Sequence, residues 1–204
     1  RTAHRPTQPI GSDTARVLNE FCAVLWVWQI AIAANGMSLL RSYRHPLPVD
    51  PSIVHTKSER PRQSVYTYPR VLVGSDEWKS MCPAGVLVFC VFSLGFLSFL
   101  IYASAVAPRK YCTRDPRGRS FFCDSTRFCM VYFRPAKWWW CAAYNLKSIV
   151  MVLISLSPQP EFSVMAWTLT ITVYALLSSW AQPWKWWLLN VLEAALSLGL
   201  LVAV

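Results

Sequence analysis

The chain has 204 residues, of which 54% are hydrophobic and 15% charged, and it carries a net charge of +10 at pH 7. Soluble domains carry about 25% charged residues, so the composition excludes an ordinary soluble domain. Eleven tryptophans point instead to a surface that is greasy at one height and wet at another.

In chain order, residues 1–18 are polar, hold Pro6 and Pro9, and read as a loose tail. Residues 19–40 contain an uncharged stretch from Phe21 that reaches the roughly 20 residues a spanning helix needs. Gln29 and the Asn35-Gly36 pair leave an interfacial or buried helix open as the alternative. Residues 41–83 are polar and rich in proline, with a short strand expected within "SVYTYPRVLV". The clearest span covers residues 84–107, uncharged and bracketed by Pro83 and Pro108. Residues 108–137 form a basic loop. Three further apolar spans are expected over 138–157, 163–181 and 186–204, the last two joined by the tight turn "QPWK". The pattern predicts an all-α fold, a polytopic transmembrane helix bundle of four to five spans. An Arg at position 1 and an apolar run at the end, "SLGLLVAV", suggest a fragment of a longer chain. The early residues show no signal-peptide pattern.

Five spans would place the tail, the 109–137 loop and the "QPWK" turn on one side. That side collects Arg109, Lys110, Arg114, Arg117, Arg119, Arg127, Arg134, Lys137 and Lys185, among others. Positive residues near span ends favour the cytoplasm, so the chain is expected to be integral to a membrane with this loop cytoplasmic. Trp138, Trp139, Trp140, Trp180, Trp184, Trp186 and Trp187 fall at the same face. Three successive helical residues splay over about 300°, so one core face cannot take three neighbouring rings, whereas a headgroup layer surrounds the helix. With Arg134, Lys137 and Lys185 these tryptophans are the expected interface anchors. The expected acidic partner is therefore the anionic headgroups of the lipid bilayer, each cation contributing about 1 kcal/mol, and not nucleic acid. A homo-oligomer is compatible with this reading.

Two charges interrupt the spans, Lys147 and Glu193, with Asn145 and Asn190 near them. Ionisable residues at such depth cost about 2.5–3.5 kcal/mol when unpaired. A Lys147–Glu193 pair is the expected compensation. It would serve an ion path or gate, or act as interhelical glue; Lys147 could also snorkel towards the tryptophans.

The remaining chemistry is sparse. Cys112, Cys123 and Cys129 lack zinc spacing and a neighbouring histidine. Cys22, Cys90 and Cys141 read as apolar filler. His4, His45 and His55 are isolated. No glycine-rich phosphate loop, nucleophile elbow or zinc-protease motif occurs, so no catalytic residue, metal or cofactor is expected and the chain does not read as an enzyme. "CMVYFRPAKWWW" suits an amphipathic segment lying in the interface before the chain turns inward at Pro135.

"YFRPAKWWW", Lys147, "SSWAQPWKWW" and Asn190 with Glu193 together resemble the TRP-channel-like membrane region at the C-terminal end of large protist multidomain proteins. The resemblance covers residues 130–204, a little over a third of the chain. It implies a cation channel, with Lys147, Glu193, Asn190 and Asn145 as the polar centre of the bundle. A non-conducting membrane anchor or receptor domain of a large surface protein is the competing expectation, since no pore loop or selectivity filter is visible.

Overall fold

A computed structural model describes residues 11–44, 63–111 and 121–203. Cys112, His4, His45 and His55 lie outside the described residues. The fold is all-α, with one small two-stranded sheet. Helix α1 is Gly11–Met37, continued by a 3-10 turn over Ser38–Leu40. Strands β1 (Ser42–Arg44) and β2 (Gln63–Val65) pair antiparallel, with Tyr43 opposite Ser64. There follow α2 (Asp76–Val88), a π-helical turn (Phe89–Leu94), α3 (Gly95–Tyr111), the short α4 (Phe121–Ser125) and α5 (Arg127–Met130), then α6 (Trp140–Ile154), α7 (Pro160–Ala181) and α8 (Trp187–Ala203).

Among the described residues three stretches are long and apolar enough to cross a membrane: Asp13–Leu40, Asp76–Arg109 and Pro160–Ala181, of 28, 34 and 22 residues. At about 1.5 Å per residue the shortest reaches about 33 Å, against a hydrocarbon core of about 30 Å. Helices α6 and α8 are equally apolar but shorter, with 15 and 17 residues.

Two local differences from the sequence reading have physical causes. Helix begins at Gly11 rather than at the apolar stretch, so Asp13, Arg16 and Glu20 form a polar first half of α1. Pro83 and Pro108 lie inside helices instead of bracketing one. The real start is Ser75, whose Oγ accepts from the Trp78 N–H at 3.2 Å, with Asp76 and Glu77 in the first turn. Such a cap with acidic neighbours satisfies exposed N–H groups and complements the helix dipole. The nucleus it provides lies seven residues ahead of Pro83. The strand expected near "SVYTYPRVLV" is present as β2.

The described residues pack as two compact units. One draws on 11–28, 97–111, 121–146 and 172–203, and the other on 29–44, 63–96 and 147–171. In the second unit, Leu39, Val65 and Val71 form a small core covered by Trp78 and Met81. The Trp78 indole donates to the Leu39 carbonyl at 2.9 Å. Gly36 of α1 meets Gly85 of α2 backbone to backbone. A Cβ added at Gly36 would come within 2.9 Å of the Gly85 carbonyl oxygen, and one at Gly85 would collide with the Gly36 carbonyl. The glycine that weakened residues 19–40 as a span is thus the one that permits this crossing. Within the same unit, Trp167 at the start of α7 donates to the Met151 carbonyl of α6 at 3.1 Å, and Ser163 Oγ to Ile154 O at 3.2 Å.

The first unit is built on rings. Trp26 of α1 packs edge-on against Phe128 at 5.8 Å and Tyr144 at 6.0 Å. Phe133 lies 4.7 Å from Trp184, and Trp140 lies 5.7 Å from Tyr174. Edge-on and offset pairs add about 0.5–1.5 kcal/mol each beyond area burial.

Candidate functional site

The residues that the sequence set apart fall into three local arrangements. The first is a turn. Residues 132–134 and 183–185 form an antiparallel bridge centred on Phe133 and Trp184. The Arg134 N–H donates to the Pro183 carbonyl at 2.9 Å and the Lys185 N–H to the Tyr132 carbonyl at 3.0 Å. Asn190 then closes the turn from α8. Its Oδ1 accepts from the Trp184 N–H at 3.1 Å, and its Nδ2 donates to the carbonyls of Trp184 at 3.1 Å and Trp186 at 3.3 Å. Gln182 enters the turn at φ +43°. Asn190 therefore braces the turn that follows "QPWK", while the backbone bridge holds "YFRP" and "QPWK" together.

The second arrangement surrounds Glu193, one turn further along α8. Its carboxylate is half-buried and interacts with the hydroxyl of Tyr174 on α7 and, less closely, with that of Tyr144 on α6. These two tyrosines are the partners that sequence reasoning missed. The available signal was slight: Tyr144 is four residues after Trp140, hence on the same helix face, and Tyr174 is the one tyrosine in the uncharged run from Phe162 to Trp184. Asn145 is fully buried in the same unit. Lys147 is half-buried and belongs to the second unit.

The third arrangement is the tryptophan set, and the structure divides it. Trp138 and Trp140 are buried, Trp140 being 1% exposed. Trp139, Trp180, Trp186 and Trp187 face outwards, Trp180 at 78% and Trp187 at 71%. Trp184 is half-buried under the bridge. Lys137 Nζ stands 5.1 Å from the ring centroid of Trp180, a cation–π contact on the exposed side. Arg134 and Lys185 are exposed at the same bridge. The exposed rings and these three cations remain available to an interface, while Trp138 and Trp140 serve the core.

The cysteines gather more than their spacing suggests. Cys22, Cys129 and Cys141 are all buried thiols of the first unit. Ser104 Oγ lies 3.4 Å from Cys141 Sγ, and Cys129 Sγ donates to the Thr126 carbonyl at 3.2 Å. A hydrogen bond with Cys141 and burial together push the Cys129 thiol well above its usual range. Among the described residues no group of His, Cys, Asp and Glu has the arrangement of a metal site.

No protein-family model, no curated protein and no solved structure matches the chain.

Proposed function

We propose that the chain is a multi-pass integral membrane protein. The observation that carries this reading is the outer surface of its long helices. Val27 is 78% exposed, and Leu169, Leu176 and Leu192 also point outwards. In water such continuous apolar surface is an aggregation liability; in lipid it is the solvated face. Alkaline extraction tests the assignment: the chain is expected in the membrane pellet. Its recovery as a monodisperse particle without detergent would refute the reading.

Within that class we assign a cation-conducting role, as the resemblance of residues 130–204 to TRP-channel-like membrane regions implies. The feature that favours it is Glu193, an acidic group in an apolar helix beside two tyrosine hydroxyls. A carboxylate in a low-dielectric bundle attracts a cation strongly and is costly to keep for packing alone. The second reading, a non-conducting anchor, is favoured by the stapled turn: Asn190 and the "YFRP" and "QPWK" backbones are occupied with one another. Reconstitution in liposomes with a cation-flux assay separates them. Flux that changes with Glu193→Gln supports conduction, and well-folded protein without flux supports the anchor. In either case the basic 109–137 loop faces the cytoplasm and the exposed tryptophans mark the headgroup layer.

A further inference from the structure

The first unit contains a groove of about 840 Å³ between the polar half of α1 and the segment running through α4 and α5 to Tyr132. Among the described residues four charges line it: Arg16 and Glu20 from α1, Asp124 from α4 and Arg127 from α5. They sum to zero, and none of them is in an ion pair among the described residues. The groove is built rather than incidental. Asn19 Oδ1 accepts from the Phe128 N–H at 2.7 Å across 109 positions of sequence, and the Trp26–Phe128 ring contact holds α1 against α5.

Its polarity changes along its length. Arg16 and Glu20 stand at one end, and Trp26 and Val27 at the other. The 11 residues from Arg16 to Val27 cover about 16 Å of helix, the scale of a headgroup followed by the first acyl carbons. Trp26, Phe128, Tyr132 and Trp184 supply its aromatic lining.

We propose that this groove seats a phosphate–ammonium zwitterion, the headgroup of a phosphatidylcholine- or phosphatidylethanolamine-type lipid. The phosphate lies between Arg16 and Arg127, and the ammonium lies against Glu20, Asp124 and the aromatic faces. Guanidinium groups suit phosphate oxygens, and carboxylates with ring faces suit a substituted ammonium. The described lining charges, two of each sign, favour a zwitterion over an anionic headgroup, which Glu20 and Asp124 repel. This assignment rests on the membrane reading and adds a discrete lipid site to it.

The test uses the purified full chain in non-ionic detergent, titrated with phosphatidylcholine or phosphatidylglycerol, with bound lipid counted by native mass spectrometry. Phosphatidylcholine is expected to saturate at one per chain and to bind about tenfold or more tighter than phosphatidylglycerol. Arg16→Gln with Arg127→Gln, both at exposed positions, is expected to weaken phosphatidylcholine by about tenfold. Glu20→Gln with Asp124→Asn is expected to raise phosphatidylglycerol binding, a gain that misfolding cannot produce. Equal binding of the two lipids by the unaltered chain, or no change in the arginine variant, overturns the proposal. Soluble glycerophosphocholine distinguishes the source. Displacement at comparable concentration means that the zwitterion alone is recognised; failure to displace means that the acyl end is required and the bilayer is the source. A chain that resists alkaline extraction yet shows no lipid preference loses the groove assignment and keeps the membrane reading.

Discussion

Asn190→Ala tests the turn staple directly. The substitution removes an acceptor for the Trp184 N–H and two donations to the carbonyls of Trp184 and Trp186. Each hydrogen bond contributes a net of about 1 kcal/mol, so the loss is about 3 kcal/mol. For a chain of this size 1 kcal/mol corresponds to about 2–4 °C in the unfolding midpoint, so the expected fall is about 6–12 °C. Asn190→Asp keeps the Oδ1 acceptor and loses both donations, and is expected to fall between wild type and the alanine variant. The assay is thermal unfolding in detergent followed by tryptophan fluorescence, since Trp184 and Trp186 sit in the stapled segment. A midpoint for Asn190→Ala within about 2 °C of wild type would show that the turn is held by the backbone bridge alone, and the role given to Asn190 would be wrong.

The other predictions concern single positions. Gln182→Gly is expected to raise the same midpoint slightly, because a non-glycine residue at φ +43° carries about 1 kcal/mol of left-handed strain; a drop would mean that the glutamine side chain matters more than the strain. Gly85→Ala is expected to lower stability by about 1–3 kcal/mol, because its methyl meets the Gly36 carbonyl and not a movable side chain; a neutral result would disprove the close crossing. Cys129 is expected to resist maleimide at pH 8 while Cys123, half-buried and in α4, reacts. Its raised native value means that the native state keeps the proton that the unfolded thiol releases above the ordinary value of 9.0. The contribution to stability is therefore intact below that pH and is lost as pH rises beyond it. The midpoint of wild type is expected to fall more steeply than that of Cys129→Ala between about pH 9 and about pH 10.5.

What the sequence made legible was set by local physics. Uncharged runs about as long as a bilayer is thick announce helices whatever their neighbours do, and residues 21–40 and 84–107 lie within the helical stretches Asp13–Leu40 and Asp76–Arg109. The helix start at Ser75 was also legible in principle, because Ser-Asp-Glu is a cap followed by acidic first-turn residues; Pro83 is the competing signal, since proline more often marks a helix boundary than an interior position. What could not be read is whatever depends on distant partners. Nothing near Asn19 says that its side chain caps a peptide group 109 positions away. Nothing near Asn190 distinguishes a polar centre from a turn staple, since both need an amide at the same face of an apolar helix. The tryptophan triplet shows both sides of this limit. Its ring count implied an interface, and Trp139 does face outwards, but Trp138 and Trp140 found core partners that only the fold supplies.

The bridge between residues 132–134 and 183–185 has a wider rationale. Where a chain enters and leaves an apolar layer, every peptide group without a partner costs several kcal/mol. Prolines worsen the problem, because each removes a donor and stops its own helix. On the membrane reading proposed above, Pro135 and Pro183 stand at two such points. The solution uses what proline keeps: the Pro183 carbonyl accepts from Arg134, and the Lys185 N–H, just past the break, reaches the Tyr132 carbonyl. Asn190 then serves the Trp184 N–H and carbonyl that the bridge leaves over. The motifs "YFRP" and "QPWK" thus complete one another's backbone, which explains why a single amide on α8 is needed beside them. Within this bridge the backbones do the bonding, and the side chains of Arg134 and Lys185 stay exposed beside it.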